Sequence, residues 1–426
     1  MAADLFGASQ TWFLVCGTTC GILAAIMSTS PGDTLILARN SLVSATSAMV
    51  LCGALPNYIL PEYNLQWDIA GGVTPLTELA MNFAVKMAIE ELEQEGKKAA
   101  GVFITSPTYN GVCSNISEIS QICHSHGIPL IVDEAHGAHF KFHPDMPKTA
   151  LSQGADLVIQ STHKVLRSFS QSSMLHLSGD RIDRDRVHEC LQSLQTTSPN
   201  WLLLASLDAT RDELSKNPNT LFNEVMELVI QVKELTNHIP RVSLLDLSCF
   251  SNNFSFMDPL RMTIGVQELG LSGFEAYNIL STSHGIEPEL IGTQSFTLAL
   301  SLGTTKEHAQ RLVSGLKYLS INFLQEEREI IKIDHGIERV PFGAVYMSCT
   351  LREAFFAKKK KVNFEKSIGE VCGEFICPFP PGIPVLIPGE IITKRAMDYL
   401  IQVKDQGAFL KGAVDPLLST VVVCDF

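Results

Sequence analysis

Residues 129–137, Pro-Leu-Ile-Val-Asp-Glu-Ala-His-Gly, and residues 156–164, Asp-Leu-Val-Ile-Gln-Ser-Thr-His-Lys, decide the fold. In each, a short apolar run leads straight into polar residues. Such runs read as buried strands of a parallel sheet. The first strand delivers Asp133, and the second delivers Ser161 and then Lys164. Neighbouring parallel strands put their carboxyl ends on one rim, where open α/β sheets bind ligands. An acid and a lysine on that rim suit pyridoxal phosphate: the lysine amine takes the aldehyde, and the carboxylate pairs with the pyridinium nitrogen. Taken singly, an Asp at a strand end is a cap and a Lys is a surface charge. His136 and His163 beside them favour a functional site.

A second element lies upstream. The run Trp12-Phe13-Leu14-Val15 reads as a strand and Gly21–Met27 as the start of a helix, with Gly17-Thr18-Thr19-Cys20-Gly21 between them. Hydroxyl residues at a helix N-terminus offer a phosphate N–H groups, side-chain donors and the positive end of the helix dipole. The same residues also read as an ordinary N-cap by Thr18 or Thr19. The loop has neither the Gly-Lys-Ser/Thr of a Walker loop nor the three-glycine spacing of a dinucleotide fingerprint.

The chain resembles the ornithine/lysine/arginine decarboxylase family of fold-type-I pyridoxal-phosphate enzymes. It looks most like the short cyanobacterial and plant members that lack a large N-terminal wing domain. The residues that carry the likeness span nearly the whole chain: Gly17-Thr18-Thr19, Arg39-Asn40-Ser41, Ser106–Gly111, Asp133–His139, Ser161–Lys164, Thr197-Ser198-Pro199, Arg352–Phe356 and Pro380–Glu390. The resemblance implies a major α/β domain with a mainly parallel sheet over about residues 1–250. A smaller α+β domain would occupy about 251–426. It implies Lys164 as the Schiff-base lysine and Asp133 as the pyridine partner. Thr18, Thr19 and Ser161 would hold the phosphate, and His136 and His163 would line the reacting centre. The activity implied is decarboxylation of ornithine, lysine or arginine for polyamine or diamine synthesis, in a homodimer or in a heterodimer with a full-length relative. A degenerate, non-catalytic partner subunit is the alternative.

Three departures favour that alternative. The family's ring-stacking histidine corresponds to Leu42, and an asparagine before the Gly-Thr-Thr loop corresponds to Cys16. The chain also opens at Met1-Ala-Ala-Asp-Leu-Phe-Gly7, where relatives carry a preceding segment, so the resemblance implies an N-terminal truncation. Residues 76–94 read as longer than the family pattern, as an insertion would be.

Composition narrows the remaining classes. The 426 residues are 46% hydrophobic and 18% charged, enough for a large core and against global disorder. The net charge of -13 argues against a general nucleic-acid surface. Eleven cysteines without a Cys-x-x-Cys pair suggest buried thiols rather than a metal site or redox motif. His124 and His126 read as a helix end. Residues 13–28 are apolar, but Asp4 precedes them without any Lys or Arg, so a buried strand–loop–helix is expected rather than a signal peptide. No uninterrupted apolar stretch of about 20 residues marks a membrane span. These features suit a cytoplasmic enzyme, or a plastid one if an upstream transit segment is missing.

Further strands are expected at 11–15, 33–37 and 102–105, around Met262–Ile264 and Phe296–Leu300, and in 240–250. Helices are expected at 75–96, 203–238 and 304–328. Lys358–Lys361 reads as a solvated helix face or loop. The proline-rich stretch 378–388 reads as a rigid extended loop, which either packs within its own C-terminal domain or lies at a dimer interface near the site entrance.

Overall fold

The computed structural model describes residues 1–426 except 76–84, 255, 324–340, 342, 344 and 380. A seven-stranded sheet forms the centre. Its strands are β1 (Gln10–Leu14), β2 (Thr34–Ala38), β3 (Leu55–Ile59), β4 (Ala99–Thr105), β5 (Leu130–Asp133), β6 (Leu157–Gln160) and β7 (Ser173–Leu177). The spatial order is β1-β7-β6-β5-β4-β2-β3. All neighbours pair parallel except β7, which runs antiparallel to both β1 and β6. The sequence reading located β1, β2, β4, β5 and β6 to within a few residues.

The sheet is buried on both faces, so its strands are continuous apolar runs rather than alternating ones. One face packs against the helices Gly17–Thr29, Val43–Cys52 and Arg184–Leu194. The other packs against Val85–Gln94 and Ile116–Ser125. Gly21 lets the first of these helices close onto the sheet. A Cβ there would sit 2.7 Å from Leu14 Cδ1 and 2.8 Å from Ile159 Cγ2. Residues 13–28 are thus the buried strand–loop–helix expected. His124 and His126 close the helix Ile116–Ser125, as read from the sequence.

A second, antiparallel sheet follows: β8 (Ser243–Leu244), β9 (Arg261–Gly265), β10 (Leu290–Ile291) and β11 (Ser295–Ala299), in the order β8-β9-β11-β10. It packs on the helices Asn223–Asn237, Gly273–His284 and Lys306–Phe323. The remaining C-terminal part has its own core of Ile376, Leu386, Leu400, Val421, Val423 and their neighbours. Among the described residues no helix is long and apolar enough to cross a membrane.

Four expectations are corrected. Residues 203–238 form two helices, Trp201–Lys216 and Asn223–Asn237, not one. Asn217-Pro218 interrupts them, because proline clashes with a helical residue before it. In 240–250 only Ser243–Leu244 pairs as a strand. The four-lysine run is neither helix nor loop: Lys359–Asn363 is a strand paired antiparallel with Thr420–Cys424. Its lysines are solvent-exposed, as a charged edge strand requires. Within 378–388, Cys377–Phe379 pairs with Phe409–Lys411, and Val385, Leu386 and Ile387 are buried inside this chain.

The helix expected over 75–96 is described from Val85 to Gln94, and Gly96, at φ +71°, follows it as a glycine stop should. Of the segment 76–94 read as an insertion, residues 76–84 lie outside the described residues and Val85–Gln94 is the helix just given. The helix expected over 304–328 is described from Lys306 to Phe323, and its last five residues fall outside them too.

Candidate active site

The carboxyl ends of β1, β4, β5 and β6 share one rim, and the start of antiparallel β7 joins them. Thr105 pairs with Asp133, and Asp133 with Ile159. The sequence-predicted residues converge here from three loops.

The first loop follows β1. Gly17, at φ +74°, turns the chain into the helix Gly17–Thr29. Cys16 occupies the N-cap and makes no side-chain cap bond, so the ordinary-cap reading of Thr18 or Thr19 does not hold. The first-turn N–H groups face the rim without that competitor. Thr18 Oγ1 meets Ser161 Oγ in a short hydrogen bond and lies 3.0 Å from Ser173 Oγ. Thr19 stands exposed on the same turn. Three hydroxyls and a helix N-terminus are the donor set a phosphate needs. Ser173 was not singled out in the sequence. It opens β7, a strand that reading omitted.

The second loop follows β5. Asp133 is buried, and its Oδ1 accepts from the Ala135 N–H at 3.1 Å. Burial pushes its carboxyl up to about 6, against the pull of Lys164 and the Ala135 N–H. Glu134 turns away beneath the rim. It accepts from the Ala150 N–H and from Gln160 Nε2, both at 2.7 Å, and burial raises it to about 8. Its work is to tie β5 to β6. A cationic ring nitrogen is the kind of partner that satisfies a buried carboxylate like Asp133.

The third loop holds Lys164 and His163. Lys164 Nζ lies 2.9 Å from His136 Nε2. On the far side of that imidazole, Arg261 Nη2 bonds His136 Nδ1 at short range. The protons follow from donor chemistry. A guanidinium only donates, so Nδ1 must accept; the neutral ring then carries its proton on Nε2 and donates to Lys164. Only an unprotonated amine can accept there. Both directions agree with the surroundings. Burial, Arg261 and Lys164 hold His136 well below the usual histidine range, and burial also lowers Lys164, with Asp133 opposing. The contacts and both shifts thus favour the neutral amine of Lys164, the form that attacks a carbonyl.

His163 is partly buried, and its Nδ1 donates to the Ser172 carbonyl at 2.8 Å. This leaves Nε2 as an acceptor, and burial lowers the imidazole's affinity for a proton. Tyr109 packs edge-on to His136 with ring centroids 5.4 Å apart. Arg261 escaped the sequence reading, and Tyr109 stood there only within the Ser106–Gly111 motif, without a role. Arg261 did carry a signal, because a cation opening the apolar strand Arg261–Gly265 calls for a buried partner. Leu42 is half-buried at the N-cap of the helix Val43–Cys52, beside Arg39, Asn40 and Ser41, all of which are buried. Among the described residues no group of three or more His, Cys, Asp or Glu side chains can hold a metal ion.

Comparison with known proteins agrees with this geometry. Residues 1–308 match the family described as Orn/Lys/Arg decarboxylase, major domain, and residues 337–412 match its C-terminal domain. The arginine decarboxylase of Bacillus subtilis is 33% identical over 425 residues, covering 99% of this chain and 84% of that protein. The arginine decarboxylase of Halalkalibacterium halodurans is 34% identical over 431 residues, covering 99% and 84%. Among solved structures, the constitutive lysine decarboxylase of Escherichia coli superposes with a TM-score of 0.80 at 23% identity, over 99% of this chain and 71% of that one. The last likeness speaks for the fold.

Proposed function

The chain belongs to the Orn/Lys/Arg decarboxylase family, and on that footing we propose that it decarboxylates a basic amino acid with pyridoxal phosphate held at the rim of β5 and β6. The observation that carries this reading is the chain Arg261–His136–Lys164 beside buried Asp133. Pyridoxal phosphate, when bound, supplies an aldehyde for the lysine amine and a protonated ring that takes up the electron pair left as carbon dioxide departs.

The remaining work falls to side chains of this protein. Thr18, Thr19, Ser161 and Ser173 would hold the phosphate with hydroxyls and with the N–H groups of the helix Gly17–Thr29. Asp133 would pair with the ring nitrogen and favour its protonated form, which makes the ring an acceptor of electrons. Lys164, bonded to His136, would hold the cofactor through its amine. His136 and His163 would line the site beside Lys164. His163 anchors Nδ1 on the Ser172 carbonyl, so Nε2 is the atom available to hold or move a proton there.

Arginine is the substrate this reading favours among arginine, lysine and ornithine, since the relatives at 33–34% identity bear that name. The product would enter polyamine or diamine synthesis. Assembly as a homodimer, or with a longer relative, would complete the walls of the site. The test is direct: purified protein with added cofactor is offered each of the three amino acids, and released carbon dioxide is measured. Release from one of them, accompanied by a change in the visible spectrum, supports the reading. Spectral binding without release from any would favour a non-catalytic subunit.

A further inference from the structure

Two segments meet at His136. One is the loop after β5, which carries His136 and His139; the other is the stretch entering β9, which carries Asp258 and Arg261. Each pair is spaced by three residues, and all four side chains are buried. Two side-chain bonds cross between the segments. Arg261 Nη2 donates to His136 Nδ1, and His139 Nε2 donates to Asp258 Oδ1 at 3.1 Å. The first bond belongs to the site already described. The second has no part in it, yet both its members are wholly shielded from solvent.

Asp258 shapes the turn that launches Arg261. Its Oδ1 also accepts from the Leu260 N–H at 2.9 Å, and its carbonyl accepts from the Arg261 N–H at 3.1 Å. Its own N–H donates to the Gly111 carbonyl at 2.8 Å. One carboxylate oxygen thus closes the turn and ties it to His139. His139 packs on two rings, with centroids 4.8 Å from Phe140 and 5.8 Å from Phe222, so the anchor point is fixed by its surroundings. Gly111, at φ +93°, lets the turn close in: a Cβ there would sit 2.8 Å from Arg261 Cβ and 3.3 Å from Asp258 Cβ. Arg261 reaches His136 on a long stem with much rotamer freedom to lose, so a fixed starting point for that stem matters.

We propose that the His139–Asp258 bond is a positioning device for the reaction: it fixes the turn from which Arg261 reaches His136, and with it the contact between His136 and Lys164. This rests on the reading of Lys164 as the reacting lysine given above. Loss of the bond frees the Arg261 stem. The His136 ring proton then moves to Nδ1, and Nε2 turns from donor to acceptor toward Lys164. An acceptor there favours the ammonium form of Lys164, and retreat of the Arg261 charge favours it again. Asp133 and Glu289, the carboxylates that act on Lys164, favour the same form, and His163 is its other titratable neighbour. Lys233 and Arg261 are the cations that act on Asp258.

Competitive labelling tests this without cofactor or substrate. The full chain is treated with trace acetic anhydride over a pH series, and acetylation of Lys164 is followed by peptide mapping. Only the neutral amine reacts, so the pH midpoint reports its protonation. Three variants are compared with wild type. Asp258→Asn keeps an oxygen for both His139 and Leu260 and removes only the charge, so its midpoint should stay at the wild-type position. His139→Phe combined with Asp258→Asn keeps the turn and the aromatic packing but loses the crossing bond. It leaves neither member buried alone, which protects the fold. Its midpoint should move to higher pH, with labelling below the midpoint about tenfold slower, the worth of roughly one hydrogen bond. Arg261→Met should do the same. A midpoint unmoved in the pair variant or in Arg261→Met would overturn the proposal. So would a move to higher pH already in Asp258→Asn, the mark of charge rather than position. A move to lower pH, the mark of a direct field at Lys164, would overturn it too. In parallel, carbon dioxide release from arginine, lysine and ornithine is measured. The expected labelling pattern in a chain that releases none would support the positioning of Lys164 and overturn the decarboxylase reading alone.

Discussion

Replacing Arg39 by methionine should loosen the C-terminal part from the main sheet. Arg39 follows β2, and its guanidinium is buried. Nη1 donates to the Pro384 carbonyl at 2.5 Å, while Nη2 donates to the Val385 carbonyl at 3.0 Å and to Glu390 Oε2 at 3.2 Å. One side chain thereby pins the proline-rich loop. Methionine fills a similar stem but strips every one of these bonds, and it leaves the Glu390 carboxylate buried beside two unpaired carbonyls. Removing one member of a buried ion pair costs about 3–5 kcal/mol. Replacing both partners by neutral groups costs much less, so Arg39→Met with Glu390→Gln should recover most of the loss. Burial already raises Glu390, and Arg39 is the chief force opposing it. Without Arg39 the carboxyl rises further. A raised acid stabilises the folded state below its unfolded value and loses that contribution as pH rises through the folded value. The single variant's deficit should therefore shrink on acidification. Amide hydrogen exchange over residues 376–391, at two pH values, reads the local stability. A cost under about 1 kcal/mol for Arg39→Met, or a double variant no better than the single one, would refute the reasoning.

Asp133→Asn should bind cofactor yet lose turnover by on the order of 10²–10³, measured as carbon dioxide release, because the ring proton loses its counter-charge. In the cofactor-free chain the rise of Asp133 from about 3.8 to about 6 corresponds to about 3 kcal/mol of pH-linked stability. That stability is complete below pH 4 and fades between 4 and 6, so urea titrations of wild type against Asp133→Asn should diverge over that window. Ser173→Ala should weaken cofactor binding by about 1 kcal/mol, read by equilibrium dialysis, if its hydroxyl works with Thr18 and Ser161 on the phosphate. Leu42→His should tighten cofactor binding by roughly 1 kcal/mol through ring stacking, and an unchanged affinity would place position 42 away from the ring.

The parallel strands were legible because their signals are local. An apolar run that ends in Asp133 or Ser161 needs no partner to be read. The antiparallel β7 was not legible: Ser173-Met-Leu-His-Leu177 carries His176 in its middle, and a buried histidine breaks the apolar pattern. Its ring is satisfied by Thr11, 2.8 Å from Nδ1, and by Gln160, 3.1 Å from Nε2, partners far away in sequence. The same limit hid Arg261, whose meaning depends on His136, 125 residues earlier. The lysine run shows the converse error. Charge suggested a solvated helix or loop, and the apolar strand Thr420–Cys424 imposed pairing instead. What chemistry concentrates in a motif could be read from sequence; what topology assembles could not.

The central claim is that Lys164 is the residue that holds the cofactor. Protein incubated with pyridoxal phosphate is reduced with borohydride, digested and mapped by mass spectrometry. The account predicts one reduced pyridoxyl group, on the peptide that contains His163 and Lys164. A label on any other lysine, or no stable label at all, would contradict it.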